Sequence, residues 1–397
     1  MLAFAFAYFL SALLRAVTAT LAPVFSTELG LRPADLGLLA GAYFLGFAAM
    51  QLPLGRALDR FGPRRVLLVL MGVAVVGCAA FSQAGGLASL IAARMLIGMG
   101  VSACLMAPLT CYRHHFDHNT QLRLNSWMLM TGSLGMLAST LPVQMVLPYW
   151  GWRGLFMGLS ALLVLAMVLI GWFAPHDAPV ASVQPGSRYR DIMRHPRFVA
   201  MAPLGFFSYG GLIAIQSLWA GPWLTQVAGG SASQAAGGLF AINLSMLLAF
   251  MSWGVVMPRL SRTGLQAGQL VFWGLPASML VLAVIVALGP AAGAAHWALW
   301  CVLSTVVSLT QPAVAQAFPA AWAGRALSAF NLVIFCGVFC VQWGIGLAID
   351  AFRAAGWGVV ASYQGAFAVF GLCCILAQGW FQVWQRRMTI IRVDAVS

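Results

Sequence analysis

Long apolar runs broken by short polar stretches set the pattern of this chain. They fall at Leu2–Val24, Ala34–Leu54, Val66–Gln83, Leu87–Leu109, Leu124–Leu147 and Leu155–Phe173. Six more lie at Phe198–Leu224, Ala235–Met257, Ala267–Leu288, Ala294–Phe318, Leu327–Ile349 and Val359–Val383. A hydrocarbon core of about 30 Å takes roughly 20 apolar residues per helix, so the pattern predicts twelve transmembrane helices. The short alternating segments of a membrane barrel are not seen. Between the sixth and seventh runs the composition shifts: Ala174–Arg197 carries prolines, arginines and no apolar run, which reads as a linker. The expected organisation is a six-helix bundle over 1–174, a cytoplasmic linker over 175–197, a second six-helix bundle over 198–385 and a cytoplasmic tail over 386–397.

Composition agrees with an integral membrane protein. With 62% hydrophobic and 7% charged residues, the chain lacks the polar side chains to cover a soluble globule. Its 21 basic residues, all Arg, stand against eight acids for a net charge of +13. A charge of that size would suit nucleic acid, but its placement argues otherwise. Sixteen arginines lie in the breaks after runs 2, 4, 6, 8 and 10 and in the tail, whereas the opposite breaks hold only Arg32, Arg153 and Arg353. This is the positive-inside bias, and it predicts both termini in the cytoplasm. Met1-Leu2-Ala3-Phe4 has no charged n-region and no cleavage site, so it is not read as a signal peptide; the abrupt start of the first run leaves room for residues upstream.

Reactive chemistry is sparse. The eight cysteines have no metal spacing and read as small buried hydrophobes without disulfides. Cys111, His114, His115, Asp117 and His118 contain i, i+4 pairs of metal-ligand type, but no second ligand group accompanies them, and a solvated loop is the preferred reading. There is no phosphate-cradling Gly-Lys-Ser/Thr loop and no nucleophile–base pair, so neither an enzyme nor a cofactor is expected.

Between runs 2 and 3 stands Gly55-Arg56-Ala57-Leu58-Asp59-Arg60-Phe61-Gly62-Pro63-Arg64-Arg65, read as a short basic loop. Its spacing resembles the signature loop of the major facilitator superfamily, with Pro63 where a basic residue is usual. Arg94-Met95-Leu96-Ile97-Gly98 in run 4 resembles the Arg-x-x-x-Gly motif of that family, and Gly151-Trp152-Arg153 its helix 5 to 6 turn. Gly254 to Arg259 reads as a degenerate second copy of Gly55 to Arg60. The resemblance implies an all-α fold of twelve transmembrane helices in two pseudo-symmetric six-helix bundles, in a bacterial cytoplasmic membrane. It implies a monomeric permease that moves a small-molecule solute by alternating access, driven by a coupling proton or a counter-solute. Gly55, Asp59, Arg60, Gly62, Arg64 and Arg65 would form a cytoplasmic latch, with Asp59 near the start of helix 11 at Arg325 and Ser328. Arg94 and Gly98 would serve packing and gating. Run 5, around Gly132-Ser133-Leu134-Gly135-Met136, lacks the motif typical of drug antiporters.

A charge inside the hydrocarbon is costly and marks a functional candidate. Arg15 and Arg94 are the only charges well inside runs. At helical spacing Tyr8, Ser11, Arg15 and Thr18 share a face, a stripe suited to a wet cavity. A guanidinium is permanently charged and matches carboxylate or phosphate, so Arg15 predicts an organic anion as cargo. Helices 7, 10 and 11 add Tyr209, Gln216, Trp219, Gln311, Asn331 and Gln342, which bind substrate if the resemblance holds or bond helix to helix if it does not. Two other readings stay open: a proton-coupled exporter of hydrophobic compounds, opposed by the lack of a deep carboxylate, and a transporter-like membrane sensor.

Overall fold

The computed structural model describes residues 1–175, 189–262 and 267–394, excluding the side chains of 113–114, 118–119, 122, 254, 257–262, 267, 320–321 and 386–394. These residues form helices joined by short turns. In the first half they are α1 (Leu2–Glu28), α2 (Pro33–Phe61), α3 (Pro63–Ser82), α4 (Leu87–Val101), α5 (Ala103–His115), α6 (His118–Ala138) and α7 (Leu141–Phe173). The short α8 (Tyr189–Arg194) precedes the second half. That half comprises α9 (Pro196–Val227), α10 (Ala232–Arg262), α11 (Ala267–Leu288), α12 (Ala294–Ala315), α13 (Ala320–Ala354) and α14 (Val359–Asp394). Among the described residues eleven helical segments are long and apolar enough to cross a membrane, α4 and α5 together forming one of them. Helix α6, which holds most of the expected fifth run, is not among them.

Several boundaries depart from the apolar pattern. The Gly55–Arg65 stretch is not a loop: α2 continues to Phe61, α3 begins at Pro63, and Gly62 alone turns the chain, at φ 83° and ψ 153°. That φ favours glycine, and Pro63 supplies a ready first helical residue lacking the N–H that would go unpaired there. Run 4 is interrupted at Ser102. Run 5 starts earlier than its apolar residues, because Asp117 caps α6 by accepting from the Thr120 N–H at 3.1 Å. It breaks at Ser139 and Thr140, whose hydroxyls donate back to the Met136 and Leu137 carbonyls at 2.6 Å. Gly151, at φ 60° and ψ 174°, divides α7 where the turn was expected. The expected linker 175–197 is partly helical, since α8 and the start of α9 lie in it; 176–188 is outside the described residues. So are most side chains of the expected second copy, Gly254 to Arg259.

The most extensive helix contact joins the halves through α2 and α13. At the end opposite the arginine-rich breaks, here called the outer end, they approach backbone to backbone. A methyl group on Gly37 would strike the Gln342 carbonyl, and one on Gly41 would lie 2.9 Å from the Phe339 ring. Asp350, in the last turns of α13, accepts from the Ala34 N–H of α2 at 3.1 Å, which answers one of the orphan donors at that helix start. Trp152 Nε1 donates to Glu28 Oε2 at 2.9 Å, tying α7 to the outer end of α1. At the basic end the glycines of the same two helices are open: Gly55 and Gly324 have nothing within 4 Å of a built Cβ.

Candidate functional site

Arg15 is the central residue of α1. Its charged or polar neighbours come from several helices: Tyr8 on α1, Tyr43 on α2, Cys104 on α5 and Tyr209 on α9. The guanidinium carbon lies 5.9 Å over the Phe47 ring. Surrounded in this way, the side chain nevertheless keeps partial exposure, as does Tyr209, so both border an internal space. Arg15 Nε is enclosed with no acceptor among the described residues. The chain places none of its eight acids deep in a span, so no carboxylate of the protein neutralises this charge at mid-depth. Tyr8 and Tyr43 are buried, and the Tyr43 hydroxyl donates to the Ser11 carbonyl at 3.4 Å, so the groups left to hold an anion by charge-assisted hydrogen bonds are the uncompensated guanidinium and the partly exposed Tyr209.

Arg94 has a different environment. It is 1% exposed, donates to the Thr18 hydroxyl, and sits 5.1 Å over the Tyr43 ring. Its Nε and one terminal nitrogen find no partner among the described residues. Gly98, one turn on, faces the Tyr43 carbonyl so closely that any Cβ would collide with it. The Arg-x-x-x-Gly motif therefore grips α2 at the residue whose ring separates the two arginines.

Of the predicted substrate residues, the structure brings Tyr8, Arg15 and Tyr209 together. Ser11 and Thr18 are sealed, the first with its hydroxyl 3.5 Å from the Val101 carbonyl and the second on Arg94. Helical spacing put all four on one face, but that face is wide enough for one edge to pack against α4 and α5 while the other meets the cavity. Gln216, Trp219 and Gln342 are likewise buried: Gln216 donates to Asn243 at 2.7 Å, Trp219 to the Gln342 carbonyl at 3.0 Å, and Gln342 to Ser217 at 2.9 Å. Gln311 and Asn331 pair with each other at 2.7 Å and remain partly exposed toward the basic end.

Two residues beside Arg15 escaped the sequence reading, Tyr43 and Phe47, as did Phe335 behind them, whose ring centroid lies 4.5 Å from that of Phe47. Tyr43 and Phe47 are one turn apart, a visible signal, but an aromatic pair within an apolar run is ordinarily core. Helix α9 also departs from a plain α-helix. It contains π-helical turns at Leu204–Tyr209, Ile215–Trp219 and Trp223–Val227, a form that recurs at functional sites, and Tyr209, Gln216 and Trp219 all lie in them.

The predicted latch is only partly engaged. Arg64 donates to the Gly171 carbonyl of α7, Arg56 lies 6.0 Å over the Tyr189 ring of α8, and Arg60 lies 5.1 Å over Phe61. Arg65 is exposed and Arg325 partly so. Asp59 is exposed and has no ion pair with any described residue, Arg325 included. In the histidine cluster, Cys111 and His115 are neighbours at 3.8 Å, the side chains of His114 and His118 are outside the described set, and no metal-binding group of three ligands occurs among the described residues.

The chain belongs to the Major Facilitator Superfamily, whose profile it matches over residues 4–342. It is 27% identical over 165 residues to the probable sulfoacetate transporter SauU of Cupriavidus necator, covering 42% of this chain and 37% of that protein. It is 30% identical over 169 residues to the 4-hydroxybenzoate transporter PcaK of Pseudomonas putida, covering 41% and 37%. A third relative is the methyl viologen resistance protein SmvA of Salmonella typhimurium, 30% identical over 162 residues and covering 40% and 32%. The matched segments thus span about a third of each relative. Among solved structures, a bacterial homologue of the human lysosomal transporter Spinster, in an inward-facing and unoccupied conformation, superposes with a TM-score of 0.75. It is 18% identical, and the match covers 97% of this chain and 96% of that one. Family and fold place the chain with multi-pass membrane transporters and not with enzymes.

Proposed function

We propose that this protein carries a small organic anion across the membrane by alternating access, with the anion held at mid-depth by Arg15. The carrying observation is that guanidinium: central in its helix, ringed by tyrosines, partly accessible, and without a carboxylate partner. A charge at that depth costs a few kcal/mol on insertion scales, and a bound anion offsets that cost in the loaded carrier. Two relatives named for sulfoacetate and 4-hydroxybenzoate, both anions, support the reading. The relative named for methyl viologen resistance favours the exporter alternative; the lack of any deep acid to meet a cation weighs against it.

In this reading the arginine-rich end faces the cytoplasm. The closed seam of α2 and α13 is then the outer gate, and the solute would reach Arg15 from the arginine-rich side. Asp59 would engage the start of α13 only in the opposite conformation, and both halves lie on one chain, so a monomer suffices.

The test is counterflow of radiolabelled sulfonates and carboxylates in proteoliposomes. Arg15→Ala should abolish exchange and Arg15→Lys should retain a small part of it, because an ammonium keeps the charge and loses the fork. Undiminished exchange in both variants would reject the assignment of Arg15.

A further inference from the structure

Arginine is scarce in the breaks at the outer end, where only Arg32, Arg153 and Arg353 occur, and each of them calls for a reason. Arg153 has one: its guanidinium lies 4.0 Å over the Trp152 ring and donates to the Ala84 carbonyl at 3.0 Å. The other two come from opposite halves, Arg32 just before α2 and Arg353 in the last turn of α13, and they line one outer cavity of about 170 Å³. That is several times the space one water needs. Ser26 of α1, Gln226 of α9 and Tyr363 of α14 share its wall, and no acid among the described residues does.

Each of these two arginines has an acid three positions away, and each acid is engaged elsewhere. Asp35 accepts from the backbone N–H of Arg32 at 3.1 Å and stands 3.8 Å from its Nε, too far for a hydrogen bond. Asp350 accepts from the Ala34 N–H of α2 and forms no ion pair with Arg353. Among the described residues no acceptor takes a hydrogen bond from either guanidinium. The bond that ties α13 to α2 thus withdraws from Arg353 the carboxylate nearest to it in sequence. Parting the seam would return Asp350 to Arg353 and separate the cavity walls, so an anion held between them favours the closed outer end.

Resting on the reading of this seam as the outer gate, we propose that the cavity is a second site, for a small oxyanion dissolved on the outer side, which bridges Arg32 and Arg353 by charge-assisted hydrogen bonds and holds the gate shut. The probe is inorganic sulfate, titrated by calorimetry into the purified full-length protein against chloride of equal ionic strength. Arg32→Gln and Arg353→Gln, both at exposed positions, should each weaken sulfate by about tenfold or more, the size of a charged hydrogen bond. Arg15→Ala should leave sulfate binding unchanged. Spin labels at the exposed Ala88 and Ser233, at the outer starts of α4 and α10, would read the gate, with Cys336, Cys340 and Cys373 replaced by Ser. In Gly37→Ala sulfate should shrink the longer-distance population, and adding Arg353→Gln should abolish that effect. Sulfate binding untouched by both Gln variants, binding lost only in Arg15→Ala, or binding of phosphatidylglycerol in place of sulfate would overturn the site and leave the organic-anion reading standing. Distances unmoved by sulfate would overturn its hold on the gate.

Discussion

The seam between α2 and α13 gives the most demanding test of alternating access. In Gly37→Ala the new Cβ would lie 3.0 Å from the Gln342 carbonyl carbon and 3.1 Å from the Trp343 Cα, with the Gln342 oxygen nearer still. Ordinary carbon contacts are about 3.5–4.0 Å, and all three obstacles are backbone, so the helices must part. Overpacking of this kind costs about 1–3 kcal/mol. The cost falls only on a conformation in which these backbones touch, so the equilibrium should move toward outer-end opening by about 5- to 150-fold. Spin labels at the exposed Thr27 and Ala354, with the exposed Cys340 and the partly exposed Cys336 and Cys373 replaced by Ser, would report this by pulsed electron–electron distance measurement. A second, longer distance should appear in Gly37→Ala and shrink when Asp59→Asn is added, because that change weakens the latch of the opposite conformation. Gly344→Ala, outside the expected latch and with nothing within 4 Å of its built Cβ, is the control. An unchanged distance distribution, with or without a lower unfolding temperature, would make the seam constitutive packing and refute the reasoning.

Two further outcomes follow from single contacts. Thr18→Val removes the hydroxyl that accepts from Arg94 and should destabilise the protein by about 1–3 kcal/mol in detergent unfolding, whereas Thr18→Ser should not. His195 caps the start of α9 through Nδ1, which accepts from the Arg197 N–H at 3.3 Å. Burial, and then the Arg197 charge, lower its pKa below the ordinary 6.5. The unfolded chain therefore binds the proton first, and stability should fall as pH drops below 6.5. His195→Asn, an uncharged cap, should flatten that part of the unfolding-temperature profile against pH.

Much of the architecture was legible because lipid imposes a simple rule: long apolar runs must be helices. Arg15 was legible for the same reason, as a lone charge where charge is expensive. What could not be read were choices made between helices. The charged stretch around Asp59 looked like a loop, yet polar side chains at a membrane surface are equally at home on helix ends, and only Gly62 breaks the pair. Ser11 and Thr18 share a face with Arg15, but which edge of that face meets α4 and α5 depends on a partner's position. Phe47 and Phe335 lie far apart in sequence, and nothing in either apolar run announces that the two rings meet. The start of α6 was the missed opportunity, since Asp117 three residues before Thr120 is a readable cap.

The wide turns of α9 carry a mechanical implication. A π-turn holds one residue more than the α-turn it replaces, and each residue of an α-helix advances the azimuth by about 100°. Tightening the Ile215–Trp219 turn would swivel everything beyond it relative to Tyr209 by about that angle, with little sliding along the membrane normal. Gly210 and Gly211 lie just before that turn and Gly221 just after it. Such a swivel requires the buried Trp219 and Trp223 to give up their bonds to the Gln342 and Ala292 carbonyls, so re-aiming the far end of this rod would draw its neighbours along with it.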